Sequence, residues 1–359
     1  MNKVALEELI EMSHFAGERF DLVQAGGGNT SVKYGEDQML IKASGYLLSE
    51  VSENRGYATV SLSGVLSILE DEQVLNSENK RIKDQTASQK LQGCILQGKD
   101  RPSIETYLHA LLYRYTFHVH SVAVNLFTAH REWEAKMKEI YPRGLCVPYE
   151  TPGIELALLM KARIKEYVDS YKELPKIIFL QNHGLIVSSD ELKEIRVLTD
   201  EVITKAEEMA GLSFSRYRET NVISDCYNQA FQDNKMVYLS EDAVIYELLE
   251  NMDLELIKKP FSPDGFVFCG YTLFQPEQIG AAEFLEYQSK YFEPPKIVYH
   301  QNRIYIIAQD LKKAKMMEDV FKNNLLIANS LGEDLIYLSE DEVEYLGNWE
   351  AEKYRQQRP

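Results

Sequence analysis

The sequence predicts an α/β protein built in two parts, and three observations carry that expectation. Short apolar strands alternate with amphipathic helical stretches along the chain. The run Phe117-His118-Val119-His120 reads as a strand that puts two imidazoles on one face. Composition then turns polar after Arg218, so residues 1–218 and 219–359 are expected as two domains, the second a smaller α/β unit with no assigned role.

The bulk properties fit such a chain. Its 359 residues are 45% hydrophobic and 26% charged, enough for a large core in a soluble globular protein. A formal net charge of −17 argues against nucleic acid or an anionic membrane surface as the main partner. It leaves room for an anionic small substrate, because a site can be locally positive in an acidic protein. Residues 1–20 carry Glu7, Glu8 and Glu11 where a signal peptide is apolar, and Leu6, Leu9, Ile10 and Phe15 instead fit an amphipathic helix over 3–19. No apolar run approaches the roughly 20 residues of a membrane span. Cys94, Cys146, Cys226 and Cys269 are scattered without a CxxC and suit a reducing compartment. A cytoplasmic protein is expected.

The elements follow in order. Gly26–Ser31 is a glycine-rich loop. Ser31–Tyr34 and Met39–Lys42 read as strands joined by the turn Gly35-Glu36-Asp37. Residues 72–86 are polar and weakly patterned, which predicts a surface loop. Ser103 fits the N-cap of a helix running to Tyr113. Strand 117–120 is followed by a helix over 122–135. The turn-rich Pro148–Gly153 precedes a helix from Ile154 to Tyr171. Lys176–Leu180 and Leu185–Val187 are strands on either side of His183-Gly184, and a helix over 190–211 closes the first part. Residues 219–236 are polar enough to be a connection. Beyond them, Ile297–His300 and Arg303–Ala308 form a hairpin around Gln301-Asn302, and 311–330 a helix. Tyr-Leu-Ser-Glu-Asp occurs at 238–242 and again at 337–341, read as two helix N-caps with Ser240 and Ser339 as capping residues rather than as a duplication.

The chemistry-bearing residues are few. His118 and His120 at strand spacing, with His183 at a strand-to-turn corner, supply three imidazoles, the donor set of zinc or a similar first-row metal. Three protein ligands leave a position open to substrate or water, which is the catalytic pattern. Glu105 is a candidate general base beside that metal. His109 follows at i+4 on the same helical face and is read as a packing residue. Gly26–Ser31 lets the backbone approach an anion and adds Asn29, Thr30 and Ser31 as donors, without the spacing of a Walker loop or a dinucleotide fingerprint. Ala43-Ser44-Gly45 and Pro102-Ser103 are further small-residue turns, the latter at an expected helix N-terminus that favours phosphate. Lys42 adds a positive charge, although a solvated strand-end lysine is the commoner case.

Six motifs in order then carry a resemblance: Gly-Gly-Asn-Thr-Ser, Ile-Lys-Ala-Ser-Gly, Pro-Ser-Ile-Glu-Thr-x-x-His-Ala-x-Leu, His-Val-His-Ser, Val-Pro-Tyr-Glu-x-Pro-Gly-x-x-Leu-Ala and Asn-His-Gly-Leu. Over residues 5–215 the chain resembles the class II aldolase/adducin family, which includes the zinc-dependent fuculose- and rhamnulose-phosphate aldolases. The wording is most similar to the aldolase part of rhamnulose-phosphate aldolase/alcohol dehydrogenase fusions, and Ser262–Asp264 with Asn348–Arg355 resemble the segment that follows it there. The resemblance implies a central mainly antiparallel sheet flanked by helices. It implies a Zn2+ ion, or another divalent first-row metal, on His118, His120 and His183. Glu105 matches the family's acid/base, and Gly28, Asn29, Ser44, Gly45 and Ser103 its phosphate-binding turns. Ile104 stands where the family often has a second serine, so one phosphate donor is missing. The family's catalytic tyrosine, which comes from a neighbouring subunit, is not placed here; Tyr149 and Tyr141 are guesses.

The implied reaction is reversible retro-aldol cleavage of a sugar phosphate to dihydroxyacetone phosphate and an aldehyde, in a C4-type homotetramer. Decarboxylases and epimerases of phosphorylated sugars or keto acids share such a metal site and are the enzymatic alternatives. A non-catalytic adducin-like scaffold is the other, and it conflicts with the retention of all three histidines and Glu105.

Overall fold

The computed structural model of the protein describes residues 2–98 and 100–348, so Trp349–Arg355 of the last motif lie outside the described residues. The chain divides into two compact units, Met1–Phe214 and Ser215–Pro359.

The first unit is built on an eight-stranded sheet. Its strands are β1 (Asn29–Tyr34), β2 (Gln38–Lys42), β3 (Tyr57–Ser61), β4 (Ile95–Gln97), β5 (Tyr115–Val119), β6 (Leu145–Val147), β7 (Ile177–Leu180) and β8 (Gly184–Ser189). Their spatial order is β4-β3-β2-β1-β5-β8-β7-β6, antiparallel throughout except for the β6–β7 pair. The mainly antiparallel sheet flanked by helices is therefore present. Helices α1 (Lys3–Gly17), α2 (Leu62–Ile68), α3 (Glu72–Leu75), α4 (Lys80–Gly93), α5 (Thr106–Ala110), α6 (Val122–Thr128), α7 (Trp133–Ile140), α8 (Ile154–Tyr171) and α9 (Leu192–Ala210) cover it.

Strand alternation explains the two covered faces. Leu40, Phe117, Val119, Leu185 and Val187 point to one core, shared with α1 and α9. Met39, Ile41, Ile178, Leu180 and Ile186 point to the other, shared with α2 and α8. His118 lies between Phe117 and Val119, so it is directed to the second face, where α5 lies.

Several local expectations change. Residues 72–86 are not a loop: Asp71 caps α3, and Asn79 accepts from the N–H groups of Arg81 and Ile82 to start α4. Only Ala87 and Leu91 of α4 are buried, too few apolar positions to show as a period. Strand β3 was unforeseen. Ser103 does not cap a long helix; Glu105 occupies the N-cap position of α5, which is five residues long and ends before Tyr113. The helix expected over 122–135 is two, broken between Thr128 and Trp133.

In the second unit, residues 219–236 are mostly helical, because α10 (Ser215–Phe231) buries Tyr217, Thr220, Ile223, Ser224 and Tyr227 at helical spacing. Strands β9 (Met236–Leu239), β10 (Ile297–His300) and β11 (Arg303–Ala308) form an antiparallel sheet in the order β10-β11-β9, with the expected hairpin at Gln301-Asn302. The remaining helices are α11 (Ala243–Asn251), α12 (Pro263–Cys269), α13 (Ala281–Tyr291), α14 (Leu311–Leu331) and α15 (Glu340–Asn348). The cap of α11 is Asp242 and not Ser240, whereas Ser339 accepts from the Glu342 N–H as expected. Among the described residues, no helix is long and apolar enough to cross a membrane.

Candidate metal centre

β5 stands at the middle of the sheet, with β1 on one side and β8 on the other, and this placement assembles the site. Asn29 lies opposite His118 in the β1–β5 ladder, and Ile186 lies opposite it in the β5–β8 ladder. His120 follows just beyond the end of β5. The tight turn Gln181-Asn182-His183 between β7 and β8 returns the chain beside it. Asn182 takes a positive φ of 54°, which asparagine tolerates. Asn125 of α6 donates to the His183 carbonyl at 3.1 Å and fixes the corner.

The three rings converge. Their centroids lie 5.1 Å (His118–His120), 4.8 Å (His118–His183) and 5.0 Å (His120–His183) apart. One nitrogen from each can be chosen so that all lie within 4.8 Å of one another. Glycines make the room: a Cβ at Gly27 would stand 2.7 Å from His120 Nδ1, and one at Gly184 would stand 2.3 Å from the Val119 carbonyl oxygen. Gly28 takes φ +75° under the His118 carbonyl, a conformation and a clearance that favour glycine.

Glu105 completes the group. It is buried, in the bridge region at φ −93° and ψ 5°. Its Oε1 lies 3.2 Å from His183 Nε2 and its Oε2 3.9 Å from His118 Nδ1. The Asn29 amide donates to Oε2, and the Glu105 N–H donates to Ser103 Oγ at 3.2 Å. Burial works against the carboxylate's charge, but His118 and the His183 hydrogen bond outweigh it and hold the pKa below the usual range. Burial pushes the pKa values of His118 and His120 down, with Glu105 opposing.

Both ring nitrogens of His118 and Nε2 of His120 are buried without a hydrogen-bond partner among the described residues. Buried polar atoms are normally paired, and an unpaired one is costly. Neutral imidazoles with free lone pairs beside a carboxylate are the donors a divalent first-row metal requires, so the residues fit the ion.

The phosphate candidates are placed unequally. Gly28, Asn29 and Ser103 join the buried group. Ser44 and Gly45 lie on an exposed turn, stitched to the Glu105 segment by the Ala43–Pro102 bridge and by the Ser44 N–H donating to the Arg101 carbonyl at 2.8 Å. Lys42 is not a solvated strand end. It is 2% exposed, and among the described residues its Nζ meets the carbonyls of Gly26 and Ala43 at 3.5 and 3.4 Å. Burial lowers its pKa while Glu105 and Glu50 oppose. The bridge that buries Lys42 joins residues some sixty apart and has no local signal. His109 packs as expected, with Nδ1 2.8 Å from Ser31 Oγ. Tyr149 is exposed, its N–H held by Gln181 Oε1 at 3.0 Å; Tyr141 packs against the first core.

The α/β sheet thus brings three imidazoles and a carboxylate together at its centre, a group that could hold a metal ion. Residues 7–209 match the model of the class II aldolase and adducin N-terminal domain, and the chain belongs to that family. It is 26% identical over 214 residues to the uncharacterized oxidoreductase YuxG of Bacillus subtilis (strain 168). That match takes in 56% of this chain but only 29% of the relative, so the chain spans less than a third of that protein's length. Among solved structures, the N-terminal class II aldolase domain of a conserved protein from Thermoplasma acidophilum is similar at 26% identity and TM-score 0.49, over 58% of this chain and 95% of that one. L-fuculose-1-phosphate aldolase from Thermus thermophilus is similar at 16% identity and TM-score 0.38, over 60% and 98%.

Proposed function

We propose that the protein is a zinc-dependent aldolase that reversibly cleaves a sugar phosphate to dihydroxyacetone phosphate and an aldehyde. The observation that carries the reading is the buried carboxylate of Glu105, 3.2 Å from His183 Nε2 and beside nitrogens of His118 and His120 that have no hydrogen-bond partner among the described residues.

His118, His120 and His183 would hold the ion. When bound, it supplies a Lewis acid that polarises a substrate carbonyl. The residues of the chain do the rest. Glu105 is ionised and takes or returns the proton on the carbon next to that carbonyl. The Asn29 amide orients Glu105 and donates to the oxygen on which charge develops. Gly28, Asn29, Ser44, Gly45 and Ser103 face the phosphate, and the Lys42 ammonium offsets its charge. A homotetramer in the cytoplasm, with a neighbouring subunit completing each site, is part of the same reading.

The test is direct. Purified protein loaded with zinc should cleave a ketose 1-phosphate to dihydroxyacetone phosphate, and removing the metal with a chelator should abolish this. Release of carbon dioxide from a phosphorylated keto acid, or inversion of a hydroxyl without cleavage, would move the assignment to a decarboxylase or an epimerase. Absence of stoichiometric metal would reduce the protein to a scaffold.

A further inference from the structure

The segment Arg101–Tyr107 has two sides. Ser103 and Glu105 belong to the metal centre. Arg101, Pro102, Ile104 and Tyr107 line a cavity of about 730 Å³, enclosed on its far side by α4 and the start of α8. That volume falls within the range of small-molecule sites.

Its polar groups are positioned but not used up. Arg101 Nη2 donates to Ser88 Oγ at 2.7 Å, which fixes the guanidinium on the cavity wall. Of the acids nearby, Glu150 pairs with Lys80 at 2.7 Å and Glu155 with Lys83 at 3.0 Å, whereas Asp84, which lines the cavity, makes no ion pair among the described residues. Arg81, one turn of α4 before Gln85, makes no ion pair among the described residues. Tyr107 is 3% exposed, yet its hydroxyl has no hydrogen-bond partner among the described residues. Burial raises the Tyr107 pKa, Asp84 adds to the rise and Arg101 opposes it, so the hydroxyl lies in the field of both charges across the cavity. The hydroxyl is not cut off from solvent, so it opens onto the cavity and is free to bond to what occupies it.

We propose that this cavity is a second ligand site, separate from the metal centre, for a small polyhydroxylated anion such as a phosphorylated or carboxylated three-carbon polyol. The guanidiniums of Arg81 and Arg101 take the anionic group. The Tyr107 hydroxyl and the Gln85 amide take the hydroxyls. Ile104 and the apolar side of α4 cover the carbon skeleton. This inference does not rest on the aldol reading.

Calorimetric titration of the metal-loaded full chain with glycerol 3-phosphate, and separately with glycerate, tests it. At least one probe should bind saturably, and which one does identifies the anionic group. Arg101→Gln should weaken that binding by about tenfold or more, and Tyr107→Phe by about threefold. Arg101 is exposed and Tyr107→Phe keeps the ring, so both variants should fold. The same binding should survive in His120→Ala, whose imidazole belongs to the metal centre. Failure of both probes to bind overturns the proposal. So does binding that survives Arg101→Gln and Arg81→Gln but is lost in His120→Ala, because that places the anion at the metal centre instead. Neither result depends on whether the protein cleaves a sugar phosphate.

Discussion

Two buried charge clusters of the first unit have opposite character. In one, Arg19 forks onto Asp21, with Nε at 3.1 Å from Oδ1 and Nη2 at 2.7 Å from Oδ2, and its Nη1 reaches Asp200 at 3.2 Å. The Asp21 carbonyl accepts from the Val122 N–H at 2.9 Å, so the pair anchors the start of α6. In the other cluster, Glu105 bonds to His183 and sits beside both ring nitrogens of His118 and Nε2 of His120, which have no hydrogen-bond partner among the described residues. Both groups are deep and polar. The first is closed by the protein's own atoms and serves architecture; the second keeps lone pairs free for a ligand. These two clusters differ in the saturation of their hydrogen bonds rather than in burial or charge, and what marks the second is the convergence of unpaired nitrogens beside a carboxylate.

The contrast is broken most severely by removing a ligand. His120→Ala should abolish stoichiometric metal binding and lower cleavage at least about 1000-fold, read by metal analysis and turnover. Glu105→Gln should retain the metal and lose about 100- to 10,000-fold in turnover. Metal loss in Glu105→Gln would show that the carboxylate is a ligand rather than a base. Next comes the closed cluster. Arg19→Met strands the Asp21 carboxylate and should cost about 3–5 kcal/mol in urea unfolding, while Arg19→Met with Asp21→Leu should recover most of that loss. A double variant as unstable as the single one would show that the pair's value lies in its link to Val122.

A smaller effect of opposite sign is expected at the open cluster. Metal-free His118→Leu should be more stable than metal-free wild type by about 1 kcal/mol, because it removes buried atoms that have no partner. A clear loss of stability would show that the ring packs as a structural residue.

The smallest effect concerns Lys33, a partly buried cation whose Nζ donates to the Ala110 and Leu112 carbonyls and makes no ion pair among the described residues. Burial lowers its pKa from 10.5 to about 8, with Asp190 opposing. Between those values the unfolded chain binds more protons than the folded one, so stability rises with pH across that window. Relative to Lys33→Met, wild type should therefore gain in urea midpoint from pH 8 towards 10.5. A flat difference would mean that the ammonium is solvated.

Much of this was legible in the sequence where period and packing agree. β5, β7 and β8, and helices α8 and α9, bury strongly patterned faces, and motif order pointed to His118, His120, His183, Glu105 and Asn29. Legibility failed where structure depends on contacts distant in sequence or on very few apolar positions. α4 and α10 are helical but mostly polar, β3 is defined by its neighbours, and the length of α5 is set by the turn at Ser103. Lys42 read as solvated because the bridge from Ala43 to Pro102 buries it, and no local pattern announces that bridge. The cavity beside Ile104 was invisible for the same reason, since α4, Arg101 and the start of α8 meet only in the folded chain.

The pairing of β5 with β8 has a consequence during synthesis. His118 and His120 leave the ribosome well before His183, and the strands that unite them are separated by α6, α7, β6, α8 and β7. Until β8 has docked, His183 is not held beside His118 and His120, so only two of the three converging imidazoles are in place. Completion of the three-imidazole group is therefore gated by closure of a long-range ladder and not by the order of translation.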